Sequence, residues 1–92
     1  MEFEWDPEKN EANIETHGVS FEKATRAWLD PRRFVVRDKK HSSKEDRFFL
    51  FGRVEGEVLT VRFTRRGARV RIIGAGYWRE GRYRYAQKNT ER

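Results

Sequence analysis

The stretch RFFLFGRVEGEVLTVRFTRRGARVRIIGA, from Arg47 to Ala75, contains three apolar-rich runs: Arg47–Val54, Val58–Thr64 and Ala68–Ala75. Glu55-Gly56-Glu57 and Arg65-Arg66-Gly67 separate them, connections short enough for hairpins. This pattern predicts an antiparallel three-strand meander. Alternation along the middle strand puts Leu59, Val61 and Phe63 on one face and Thr60, Arg62 and Thr64 on the other. In the last strand Val70 and Ile72 oppose Arg69, Arg71 and Ile73. One face is therefore apolar. The other is a contiguous arginine and threonine surface with Arg65 and Arg66 at its end.

Upstream, Arg33–Arg37 contains Phe34-Val35-Val36 and reads as a further strand, followed by a charged loop from Asp38 to Asp46 without an apolar residue. Glu2–Trp5 alternates polar and apolar and fits a short first strand. Asp6 can cap a helix that begins at Pro7 and runs to His17, and Gly18 supplies its left-handed stop. Ser20 can cap a second helix, with Phe21, Ala24 and Trp28 as its buried stripe and Asp30-Pro31 as its end. Val19 and Ala24 have the spacing of a hydrophobic staple. The tail after Tyr77 is basic, and a helix from Arg79 onward is weakened by Gly81. These elements predict one α+β domain over residues 1–92, with two N-terminal helices on one face of an antiparallel sheet of four to five strands.

Charge is segregated along the chain. The whole carries 21 Lys+Arg against 15 Asp+Glu, a net of +6. Residues 1–30 hold eight acidic side chains against Lys9, Lys23 and Arg26, a net of −5, so residues 31–92 carry +11. A basic surface of this kind points to phosphate, and nucleic acid is the leading partner class. No apolar run is long enough to span a membrane. The acidic N-terminus lacks the apolar segment of a signal peptide, and the absence of cysteine suits a reducing cytoplasm. His17 and His41 lie in separate segments without zinc-ligand spacing, so no metal is expected.

The first helix brings Lys9, Asn13 and His17 onto one face at four-residue intervals, and that face is almost devoid of apolar residues. Metal-free RNA cleavage needs a base for the 2′-hydroxyl, an acid for the leaving oxygen, and cations for the phosphorane. His17 is the candidate for proton transfer and Lys9 adds charge on the same face. Arg66, Arg71 and Arg79 could clamp phosphate. Arg62, Thr64 and Arg69 line the basic sheet face, and Tyr77 and Trp78, with Tyr83 and Tyr85, offer rings for stacking. The same features admit plainer roles. His17 at a helix C-terminus can serve the last carbonyls and the helix dipole, and spacing alone favours that role. Asn10 and Asn13 read as ties between helix and neighbouring backbone. His41 reads as solvated, and a charged sheet face can simply keep a small protein soluble.

One set of motifs runs nearly the whole length: Phe3-Glu4-Trp5-Asp6, Lys9-Asn10, Asn13, His17-Gly18-Val19-Ser20-Phe21-Glu22, Asp30-Pro31, Arg47, Gly52, Thr64-x-Arg66-Gly67 and Arg71-Ile72-Ile73. On these residues the chain resembles the BrnT family, the toxins of bacterial BrnT–BrnA type II toxin–antitoxin pairs. The resemblance implies a RelE-like fold whose open sheet face binds RNA, and a ribonuclease that halts translation without a cofactor. It implies a hetero-oligomer with a BrnA-type antitoxin, which neutralises the toxin and supplies the DNA-binding domain for autorepression. By matching position it implies Lys9, His17, Arg66 and Arg71 as catalytic candidates. Many chains of this kind have an acidic residue where Arg65 stands, and Ser-Ala-Arg where this one has Gly74-Ala75-Gly76. One phosphate-binding arginine implied by the resemblance is thus absent from the strand end: either Arg79, with Tyr77 and Trp78 beside it, replaces it, or the chain belongs to a branch with reduced or altered activity. Charge suggests that an antitoxin would lay acidic residues across Arg62, Arg66 and Arg71.

Overall fold

The computed structural model describes residues 1–90. Its elements are β1 (Glu2–Trp5), α1 (Pro7–His17), α2 (Phe21–Ala24) continuing into a 3₁₀ turn (Thr25–Leu29), β2 (Phe34–Arg37), β3 (Arg47–Val54), β4 (Glu57–Arg66), β5 (Arg69–Gly76) and α3 (Arg79–Thr90). The strands form one sheet in the order β1-β5-β4-β3-β2. The meander is as expected, closed by two-residue turns. Glu55 and Gly56 both have positive φ, the pattern of a type I′ turn, and Gly67 at φ +63° opens the second.

The sheet is mixed rather than wholly antiparallel, because β1 lies parallel to β5. Register explains why this pairing is favourable. Phe3 sits opposite Val70 and Trp5 opposite Ile72 on the apolar face, while Glu2 meets Arg69 and Glu4 meets Arg71 on the other. A one-residue slip would bury all four charges, so the position of the strand is well specified.

The helices occupy both faces. Asp6 and Ser20 cap α1 and α2 as expected, accepting from the Glu8 and Lys23 amides at 2.8 and 3.0 Å. The second helix tightens to 3₁₀ geometry after Ala24. Three residues per turn then align Phe21, Ala24 and Ala27, all fully buried, and leave Trp28 half-buried. Ala27 lies so close to β3 that a Cβ on Gly52 would come within 2.6 Å of its carbonyl oxygen. Beneath these elements lie Leu50, Leu59, Val61, Phe63, Val70 and Ile72, with Trp28 edge-on to Phe3 and Phe63.

The basic C-terminal segment is helical, but α3 packs on the opposite face, the one expected to be open. There Tyr85 joins Phe51 and Val58 in a second buried cluster, and Gly81 lies directly on Thr60. Gly81 allows this approach: a Cβ would come within 1.9 Å of Thr60 Oγ1. Among the described residues, buried Thr60 Oγ1 has no hydrogen-bond partner. Tyr85 donates to Asp30 at 2.6 Å and fastens α3 to the end of the 3₁₀ turn.

Candidate functional site

β5 runs four residues beyond the end of β1, which stops where Trp5 pairs with Ile72. Its outer edge there has no strand neighbour, and the chain fills the gap with a side chain. Asn13 Nδ2 donates to the Ala75 carbonyl at 2.9 Å, and the Ala75 amide donates to Asn13 Oδ1 at 3.2 Å. Nδ2 also donates to the Val19 carbonyl at 2.8 Å, which ties the sheet edge to the α1–α2 junction. The Phe21 amide donates to Asn10 Oδ1 at 2.8 Å. Both asparagines are thus the structural ties their positions suggested.

With Asn13 fixed inward, its helical neighbours Lys9 and His17 are held outward on either side of it. Lys9, Ala12, Asn13, Thr16, His17 and Ile73 line a shallow depression of about 240 Å³. Ile73 is there because β5 bulges: Arg62 pairs with Gly74 but Phe63 pairs with Ile72, leaving Ile73 as the extra residue. The bulge shifts alternation downstream, so Ala75 points into the core while Gly74 and Gly76 face the side of Arg62. A Cβ built on Gly74 would lie 3.9 Å from both Arg62 Cδ and Asn13 Oδ1. The stem of Arg62 therefore lies over Gly74, its register partner on β5. Gly76 serves a different neighbour. Its missing Cβ would lie 2.4 Å from the Trp78 ring, so the indole covers the glycine, with its centroid 5.2 Å from His17, edge-on.

Lys9, His17, Arg62 and Trp78 are accordingly gathered around Gly74–Gly76. Among the described residues, Lys9, His17 and Arg62 form no ion pair and their side chains no hydrogen bond. The other arginines of this face are occupied. Arg69 pairs with Glu2 at 3.1 Å and Glu4 at 3.3 Å, Arg71 with Glu4 at 3.0 Å, and Arg66 with Glu45 at 3.4 Å. The Arg71 hydrogen bond, opposed by partial burial and helped by Arg69, holds the Glu4 carboxyl below its usual value. Glu2, and then Glu4, raise Arg69 further. The carboxylates expected from a partner are thus supplied, at these positions, by the chain itself.

Two expected RNA contacts point elsewhere. Thr64 is 1% exposed and donates to the Asp46 carbonyl at 2.7 Å, so it has no surface to offer. Tyr77 follows Gly76 by one residue and therefore turns to the helix face. Its hydroxyl donates to Val54 at 3.4 Å and Lys23 lies 5.5 Å over its ring. Tyr85 is buried, while Tyr83 is exposed on α3. His41 is not merely solvated: its Nδ1 lies 2.9 Å from Asp38 Oδ2. Arg79 opens α3 beside Trp78. Trp78 is the aromatic residue at the site, and strand parity would have preferred it to Tyr77 once the bulge was known. Among the described residues no cluster of three or more His, Asp or Glu side chains is placed to hold a metal.

No curated protein matches the chain. A family model does: that of the ribonuclease toxin BrnT, of the type II toxin–antitoxin system, over residues 5–81. This span runs from the end of β1 through the bulge to the glycine that seats α3, and so includes every residue gathered at Gly74–Gly76. The chain belongs to the BrnT family of ribonuclease toxins.

Proposed function

We propose that this protein is a metal-independent, RelE-like endoribonuclease that arrests translation by cleaving RNA in the cytoplasm. A BrnA-type antitoxin would hold it in check and link it to DNA. The observation that carries the reading is the placement of Lys9 and His17 around one depression, with the stem of Arg62 over neighbouring Gly74. In the reaction the 2′-oxygen attacks the adjacent phosphorus and the bond to the 5′-oxygen breaks, leaving a 2′,3′-cyclic phosphate and a 5′-hydroxyl. His17 and Lys9 serve the two proton transfers, and Arg62 balances the charge that develops on the phosphorane. Arg79 contacts the RNA backbone beside Trp78. Arg66, Arg69 and Arg71 form a phosphate track that opens when RNA displaces Glu2, Glu4 and Glu45.

The test is cleavage of RNA by purified protein in the presence of a chelator. Wild type is expected to cut an all-ribose substrate and to leave one with a 2′-deoxy substitution at the cleaved nucleotide intact. His17→Ala and Lys9→Ala are each expected to lower the rate by about 100- to 10,000-fold, the usual worth of a proton-transfer group. Arg62→Ala should lower it with little change in folding. Salt-sensitive binding without any cleavage would instead make the chain a nucleic-acid-binding module.

A further inference from the structure

A second cavity lies on the other side of Trp78. It occupies about 320 Å³ between the sheet and the first turns of α3, walled by Phe49, Phe51, Trp78 and Gly81, with Glu80 and Arg84 also on its lining. Its volume falls at the small end of the range for ligand pockets, about 300–1,000 Å³. The walls are flat: Phe49 stacks on Phe51 at 6.2 Å, and the Arg84 guanidinium lies 5.3 Å over the Phe51 ring. Phe49, one of the cavity walls, is the β3 register partner of Arg62. Trp78 joins this cavity to the proposed scissile site, with His17 against its ring.

We propose that this cavity seats one unpaired RNA base, next to the phosphate that is cut. The proposal rests on the nuclease reading and adds the subsite that positions the substrate. A planar base finds the half-buried Phe49 and Trp78 rings and the Arg84 guanidinium, which covers the buried Phe51 ring, for stacking, and Arg79 follows Trp78 in the chain as a cation for its phosphate. Glu80 can accept a hydrogen bond from the edge of the base, and Arg84 can donate one. An aliphatic side chain from a protein partner would use the volume but not the cations at its mouth.

The experiment measures binding of a short 2′-O-methyl oligoribonucleotide, which cannot be cleaved, beside copies with an abasic site at each position in turn. Removing the seated base is expected to weaken wild-type binding by about 5- to 150-fold, the range of one base–aromatic stack. The other positions should matter less. Phe49→Ala and Trp78→Ala should reduce that difference to within about twofold, and Trp78→Phe should keep most of it. Trp78 fluorescence should be quenched by the intact oligonucleotide and not by the critical abasic copy, with Trp78→Phe as the blank. Equal binding of intact and abasic copies by wild type would overturn the base pocket while leaving the nuclease reading standing. Unchanged RNA affinity in both alanine variants, with antitoxin binding lost, would also overturn it and assign the cavity to the partner. No RNA binding by a folded protein would overturn the nuclease reading itself.

Discussion

Asn13 does with one carboxamide what another strand would do with its backbone: it satisfies the amide and the carbonyl of Ala75 on the bare edge of β5. Asn13→Ala would strand both groups and the Val19 carbonyl in a buried place. The expected loss is at least about 3 kcal/mol, at roughly 1–3 kcal/mol for each of the three unsatisfied groups, read by chemical denaturation. Gly76 is the second single-residue constraint. Any side chain there collides with the Trp78 indole, so Gly76→Ala should expel the ring, exposing it to acrylamide quenching, and should lower cleavage at the same time. The sequence made Asn13 legible as a tie but not its partner, since the gap it fills exists only because β1 is short. Which of Tyr77 and Trp78 faces the site was not readable for a related reason. Their facing depends on the bulge at Ile73, and a one-residue insertion in a strand leaves no mark in an otherwise alternating pattern.

Among the elements, α1, its caps and the meander were readable because each follows from local chemistry: Asp6 and Ser20 as acceptors, Gly18 as a left-handed stop, period two in the strands. The side on which α3 docks was not readable, because it is decided by the fit of Gly81 onto Thr60 and of Tyr85 between Phe51 and Val58. Gly81→Ala is expected to cost about 1–3 kcal/mol through overpacking. Removing Thr60 Oγ1 by Thr60→Ala in the same chain should recover part of it, and a double-mutant cycle measures the coupling. Acid should loosen the same attachment. Burial alone would raise the Asp30 carboxyl, but the Tyr85 hydroxyl, the Arg53 and Arg32 amides and the Arg53 charge outweigh it and lower its pKa. A lowered folded-state pKa contributes stability above the ordinary aspartate value of about 3.9 and loses it as pH falls through the folded value. Tyr85→Phe is therefore expected to destabilise by about 1 kcal/mol near neutral pH, Asp30 being only partly buried, and by less below about pH 4. Thermal melts across that window check both the size and the sign.

Over the whole molecule, the basic excess of residues 31–92 was plain in the sequence, but the amount of it left for a ligand was not. Glu2 and Glu4 reach across from the acidic end to occupy Arg69 and Arg71, while Arg62 stays unpaired among the described residues. Glu2→Gln with Glu4→Gln should therefore strengthen RNA binding. It should also steepen the fall of log affinity with log salt by roughly one to two units, as up to two more arginines become available to phosphate. The parallel pairing of β1 has a consequence in time as well as in space. Glu2 and Arg69 are 67 positions apart, and Asn13 and Ala75 are 62. Such distant partners meet late, because the chain entropy of closing so long a loop is lost before any contact repays it. On the ribosome, Lys9 and His17 emerge early, on a short helix with little apolar surface to hold it. They acquire Arg62, Trp78 and a fixed geometry only when β5 has been made. On the proposed assignment of Lys9 and His17, a partial translation product lacks the assembled site, and cleavage is expected only from a nearly finished chain.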